Sequence, residues 1–110
     1  MEKLTEKKCV PCEGGVKPFT NKEIREYLLQ LKKGWDVMNG KKIKKNFKFE
    51  NFKEAVEFLN KVAKIAEQEG HHPDMRVFGW NKVEIELSTH AIGGLSENDF
   101  ILAAKIEQLQ

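Results

Sequence analysis

The chain has 110 residues, of which 40% are hydrophobic and 33% charged, with a formal net charge of +2. That length allows one domain around one core, and the balance is too apolar for a disordered chain and too charged for a membrane-embedded one. The longest unbroken apolar run, residues 100–104, falls far short of a bilayer span of about 20 residues, and so small a positive excess argues against nucleic acid or an anionic membrane as partner.

Residues 1–19 read as a polar N-terminal tail whose tip has the option of docking on the domain, which spans 20–110. Residues 1–8 lack an apolar core, so they read as no signal peptide, and the expected compartment is the cytoplasm. The tail holds Gly14-Gly15, two of the three prolines (Pro11 and Pro18) and both cysteines, Cys9 and Cys12. Two cysteines three positions apart cannot staple a fold; they read as a tail motif, half of a zinc site or a redox pair.

Thr20 with Glu23 three residues later is a capping-box signature. Ile24, Tyr27, Leu28 and Leu31 then fall on one helical stripe, and Gly34 suits a left-handed cap after it. A hairpin is expected over residues 35–49: Asn39-Gly40 supplies the two positive-φ positions of a type I′ turn. Ile43, Phe47 and Phe49 then face one way, with Lys45 among them, and Lys44, Asn46 and Lys48 the other. The lysines of this ribbon read as a solvated, edge-guarding face more readily than as a nucleic-acid site.

Asn51 with Glu54 caps the longest expected helix, whose stripe runs Phe52, Ala55, Val56, Leu59, Val62, Ala63, Ala66 and ends at Gly70. Residues 74–80 read as a strand, Asn81-Lys82 as a turn, and residues 83–90 as a strand with Val83, Ile85 and Leu87 inward. Strict alternation puts His90 on the polar face. Gly93-Gly94 breaks the pattern, and Ser96 caps a last helix that is apolar on more than one side, which suggests a subunit interface. The expected fold is α+β, a two-layer sandwich in the order α-β-β-α-β-β-α: an antiparallel four-stranded sheet with three helices on one face.

All three histidines lie between residues 71 and 90. Imidazole titrates near neutral pH, so it gives and takes protons there. Pro73 drives His72 into an extended conformation, so His71 and His72 should point in different directions. Hairpin geometry returns His90 toward that pair. The same residues also read as solvated loop histidines, and a three-histidine zinc site is disfavoured because adjacent histidines rarely aim at one ion. Trp80 reads as core packing or as the wall for a flat heterocycle. Glu67, one turn before His71, reads as a surface charge or as the holder of an imidazole tautomer.

Glu67, then His71-His72-Pro73 four positions on, Trp80 after six intervening residues, His90 after nine and Asp99 after eight make a spaced set. In this set, and in the elements over residues 18–109, the chain resembles the pterin-4a-carbinolamine dehydratase family; residues 9–15, Cys-Val-Pro-Cys-Glu-Gly-Gly, are similar to the tail of bacterial members. The resemblance implies the fold above and a homodimer or homotetramer. It implies a hydro-lyase that removes water from 4a-hydroxytetrahydropterin to give quinonoid dihydropterin, with no metal and no bound cofactor. It points to His71 and His90 as proton-transfer groups and His72 as a positioning group that shares the proton chemistry. Glu67 and Asp99 become orienting groups, with Asp99 also readable as a helix N-terminal charge beside Ser96, and Ser88 and Thr89 backbone donors or acceptors for the pterin. Some relatives of the family act as transcriptional co-regulators or as assembly factors, which leaves an interaction protein as the rival reading.

Overall fold

The computed structural model describes residues 3–10 and 16–109. In chain order the elements are α1 (Asn21–Leu28), β1 (Asp36–Met38), β2 (Lys42–Lys48), α2 (Phe52–Glu69), β3 (Asp74–Phe78), β4 (Lys82–Leu87) and α3 (Glu97–Glu107), with single 3-10 turns at Leu4–Glu6 and His90–Ile92. The four strands form one antiparallel sheet in the order β1-β2-β4-β3. The two hairpins therefore meet through β2 and β4, with Ile43 opposite Leu87 and Phe47 opposite Val83.

Alternation does what the pleat requires. Ile43, Phe47, Val83, Ile85 and Leu87 are buried beneath the helices, while the open face carries charge. There Lys42 pairs with Glu86 at 2.9 Å, Lys44 lies 3.9 Å from Glu84, and Arg76 meets Glu84 at 3.1 Å. Two lysines of the ribbon, Lys42 and Lys44, are thus matched by the acids of β4.

Caps explain the helix starts. Thr20 and Glu23 form the full capping box, and the Asn51 side chain accepts from the Glu54 N–H at 2.8 Å. Gly70 ends α2 at φ 65°, a left-handed turn that glycine enters at little cost. Within α2, Phe58 rather than Phe52 is the buried aromatic, and Phe52 is exposed. Phe58 sits between Phe47 and Phe49, with ring centroids 4.8 and 4.9 Å away, contacts worth about 0.5–1.5 kcal/mol each beyond simple burial.

Three expectations are corrected. The first helix stops at Leu28, because Gln30 and Leu31 donate to the carbonyls of Tyr27 and Leu28 in tighter turns. Gly34 is not its cap; at φ 115° it lies further on, where the Lys45 stem passes 2.9 Å from the place a Cβ would take. The second hairpin turns at Gly79-Trp80 (φ 53° and 58°), not at Asn81-Lys82, and Asn81 is buried, its side chain donating to the Phe49 carbonyl at 2.9 Å.

The third concerns α3. Its apolar surplus is covered within the chain: Phe100, Ile101, Leu102, Ala103, Ala104 and Ile106 are all buried. Part of that cover comes from residues 3–10, where Leu4 joins the core and Cys9 packs against it. The helix therefore needs no second subunit to hide its surface. Among the described residues, no helix is long and apolar enough to cross a membrane. Cys12, with the Cys9–Cys12 motif, lies outside the described residues.

Candidate active site

Asp74 pairs with Glu86, and Ile43 with Leu87, so residues 71–73, residues 88–90 and the start of β2 all leave one end of the sheet. The three histidines share that end. Just after the left-handed Gly70, the His71 N–H donates to the Ala66 carbonyl at 3.3 Å, which fastens His71 to the end of α2. The His71 side chain is only 12% exposed, whereas that of His72 is 62% exposed. The pair diverges as Pro73 requires of the residue before it.

The centre of the arrangement is Asp99, in the first turn of α3 and fully buried. Its Oδ1 lies 2.6 Å from His71 Nε2. Its Oδ2 accepts from Thr89 Oγ1 at 2.8 Å and from the Ser96 N–H at 3.0 Å. An ionised carboxylate only accepts, so the His71 proton toward Asp99 is held on Nε2. Thr89 has one hydroxyl proton and gives it to Asp99, so the Ser96 hydroxyl, 2.8 Å away, donates to Thr89. Every polar side-chain atom of this buried cluster is satisfied.

Thr89 joins this cluster to His90, its neighbour in sequence. The inward alternation of β4 continues one step to buried Thr89, and His90 follows as an exposed residue opening the 3-10 turn. Thr89 and Gly94 exchange backbone hydrogen bonds at 2.8 and 3.4 Å, which closes residues 89–94 into a tight loop. Gly94 is required there: an added Cβ would come within 2.6 Å of Pro18 Cβ. Beside the loop is a hollow of about 200 Å³ lined by Lys41, Lys42, Ser88, Thr89, His90 and the Gly93-Gly94 pair.

The remaining members of the spaced set fall as follows. Glu67 approaches an imidazole, but that of His72, at 3.6 Å, with both side chains mostly exposed. Pro73 is half-buried between the histidines and β3. Trp80 is not brought to the histidines within one chain. It sits 62% exposed on the β3–β4 turn, at the far end of a strand whose four steps from Asp74 to Phe78 span about 13 Å. Alternation did not reveal Thr89 as the partner of Asp99; the S-T-H run after an alternating strand was the available signal, since the inward parity ends on the threonine.

The set brings together one imidazole fixed by a buried carboxylate, a second exposed imidazole one residue from the same network, and a hollow beside it. Fold and site together define a small α+β protein with a histidine–carboxylate cluster at one end of its sheet. The comparisons with known proteins name its family. The sequence profile described as "Pterin 4 alpha carbinolamine dehydratase" matches residues 17–109. A protein of Alkaliphilus metalliredigens (strain QYMF), named as a candidate pterin-4-alpha-carbinolamine dehydratase, is 49% identical over 110 residues, covering 100% of this chain and 98% of the relative. Pterin-4-alpha-carbinolamine dehydratase 2, mitochondrial, of Arabidopsis thaliana is 48% identical over 110 residues, covering 97% of this chain and 59% of the relative. Among solved structures, a transcriptional coactivator/pterin dehydratase from Brucella melitensis superposes with a TM-score of 0.77 at 33% identity, over 84% of this chain and 98% of that one. The chain belongs to the pterin-4a-carbinolamine dehydratase family, an enzyme family of hydro-lyases.

Proposed function

We propose that this chain removes water from a 4a-hydroxytetrahydropterin to give the quinonoid dihydropterin, in the recycling of a tetrahydrobiopterin-type cofactor. The observation that carries the reading is the His71–Asp99–Thr89 chain, because it fixes the His71 ring through Nε2 in the same network as the residue before His90. In the elimination, the C4a–O bond breaks as the leaving oxygen takes a proton and departs as water. The N5–H bond gives up its proton, and its electron pair forms the C4a=N5 bond. Acid and base are regenerated by returning one proton. His71 and His90 carry the two transfers, each worth about 10² to 10⁴ in rate. His72 positions the pterin, and the backbone of Ser88 faces its amide edge across the hollow, the Thr89 backbone being bonded to Gly94. No metal or bound cofactor enters the reaction so written, and the working form is a homo-oligomer.

The test is a stopped-flow dehydration assay. A hydroxylase generates 4a-hydroxytetrahydropterin, and the ultraviolet change to quinonoid dihydropterin is followed with and without the EDTA-treated protein. Acceleration that is lost in His71→Ala and His90→Ala supports the reading. Folded protein without acceleration overturns it and favours a protein-binding role.

A further inference from the structure

The N-terminal segment spans the joint on which the His71–Asp99 bond depends. That bond runs from the end of α2 to the first turn of α3, and residues 7–10 tie those two helix ends together. Asn98, next to Asp99 and 4% exposed, bonds Val10 of the segment through both ends of its amide: the Val10 N–H donates to Oδ1 at 3.0 Å, and Nδ2 donates to the Val10 carbonyl at 2.6 Å. Glu69, two residues before His71 and with a side chain only 6% exposed, accepts the Cys9 N–H at 2.9 Å and Lys105 Nζ at 2.7 Å. Cys9 Sγ sits 3.5 Å from the Asn98 carbonyl, and Lys7 reaches Glu97 at 2.8 Å. Burial by itself would raise the Glu69 carboxyl, but the Lys105 and Cys9 bonds outweigh it and hold it below the usual range, so the carboxylate is charged where it is buried.

We propose that Asn98 and Glu69 are positioning residues for His71, through which the segment 7–10 sets the separation of the α2 and α3 ends and so the His71–Asp99 bond. The physical reason is desolvation. A buried amide and a buried carboxylate keep their places only while bonded, and losing those partners leaves each with its full desolvation penalty, larger for the charged one. Relief comes by letting water in, which opens the helix joint. A hydrogen bond of 2.6 Å has no slack to absorb that opening.

The inference rests on the dehydratase reading for its kinetic part and is independent of it for its structural part. In the full chain, Asn98→Ala removes both Val10 bonds, and Glu69→Gln keeps the shape while removing the charge that holds Lys105. Three readouts are taken: kcat and KM for dehydration, the nitrogen and ring-proton resonances of the histidines by long-range NMR correlation, and a thermal melt. The expected result for Asn98→Ala is a kcat lower by about tenfold, KM within twofold, and a His71 ring that loses its fixed Nε2–H form while His72 keeps its spectrum. Glu69→Gln should move the same quantities in the same direction by about threefold, and it decides the matter where Asn98→Ala fails to fold. An unchanged His71 spectrum with unchanged kcat in folded variants overturns the positioning role. Inactive wild-type protein with a shifted His71 spectrum in the variants overturns the dehydratase reading and upholds the clamp.

Discussion

Asp99→Asn separates the charge of the central carboxylate from its shape. Asp99 accepts three hydrogen bonds, two at Oδ2 and one at Oδ1. An asparagine keeps one oxygen, and that oxygen belongs where two donors, the Thr89 hydroxyl and the Ser96 N–H, converge. Its NH₂ then faces His71 Nε2 across 2.6 Å. A donor cannot face a donor at that range, so a ring that carries one proton must hold it on Nδ1, the atom that the proposed reaction uses to take one from the substrate. The stability cost is bounded, because no buried donor is stranded while three charge-assisted bonds become neutral, a difference of about 1 kcal/mol for each. For a chain of this length each kcal/mol lowers Tm by about 4–8 °C. The rate falls by the worth of one proton transfer, about 10² to 10⁴. A protein that stays folded at the assay temperature yet loses this rate is the prediction. Stopped-flow dehydration and a melt on the same sample test it. Wild-type kcat in a folded Asp99→Asn protein would refute the argument that Asp99 sets the His71 tautomer. Asp99→Ala, which strands two buried donors and the imidazole, should by contrast cost at least about 3 kcal/mol.

Gly94→Ala places a methyl 2.6 Å from Pro18 Cβ; denaturant unfolding should show a loss of about 1–3 kcal/mol, and kcat should fall with it because the His90 loop is displaced. His72→Ala, at a side chain 62% exposed, should leave stability within about 0.5 kcal/mol while raising KM, so a melt shifted by many degrees would contradict its placement. The Cys9 thiol is pushed up to about 12 by burial and by the nearby Glu69 carboxylate. Peptide mapping after iodoacetamide treatment at pH 8 should therefore show Cys9 unmodified in native protein and modified once it is unfolded. Acid should also weaken the fold. The Lys7 bond, with a further bond from Tyr27, holds the Glu97 carboxyl below its ordinary range against the pull of burial, and Arg76 does the same for Glu84. Both groups, with Glu69, stabilise the fold above the unfolded glutamate value of about 4.3, and that stability is lost as pH falls through their lower folded values. A urea midpoint that stays flat from pH 5 to pH 3 would contradict this.

Local chemistry settled much of this protein in advance. A capping box, an Asn-Gly turn, a left-handed glycine after a long amphipathic stripe and a strand of strict alternation each specify their own few residues. Four such signals in order leave little choice beyond a helix-covered antiparallel sheet. The divergence of His71 and His72 is local too, since Pro73 acts on its immediate neighbour. The rest depended on contacts between distant parts of the chain. Gly79-Trp80 outcompeted Asn81-Lys82 for the turn because Asn81 has a buried use at the Phe49 carbonyl, a bond across 32 positions. The α3 surplus suggested a second subunit because nothing local shows Leu4 arriving from the other end of the chain to cover it. The site shows the same division. The histidines and Asp99 were visible as residue types at fixed spacing. That Asp99 binds His71 with one oxygen and Thr89 with the other was decided only when α3 packed against the end of α2. Residues 7–10, polar and tail-like in sequence, tie that joint because buried Asn98 and Glu69 need partners that no local pattern supplies.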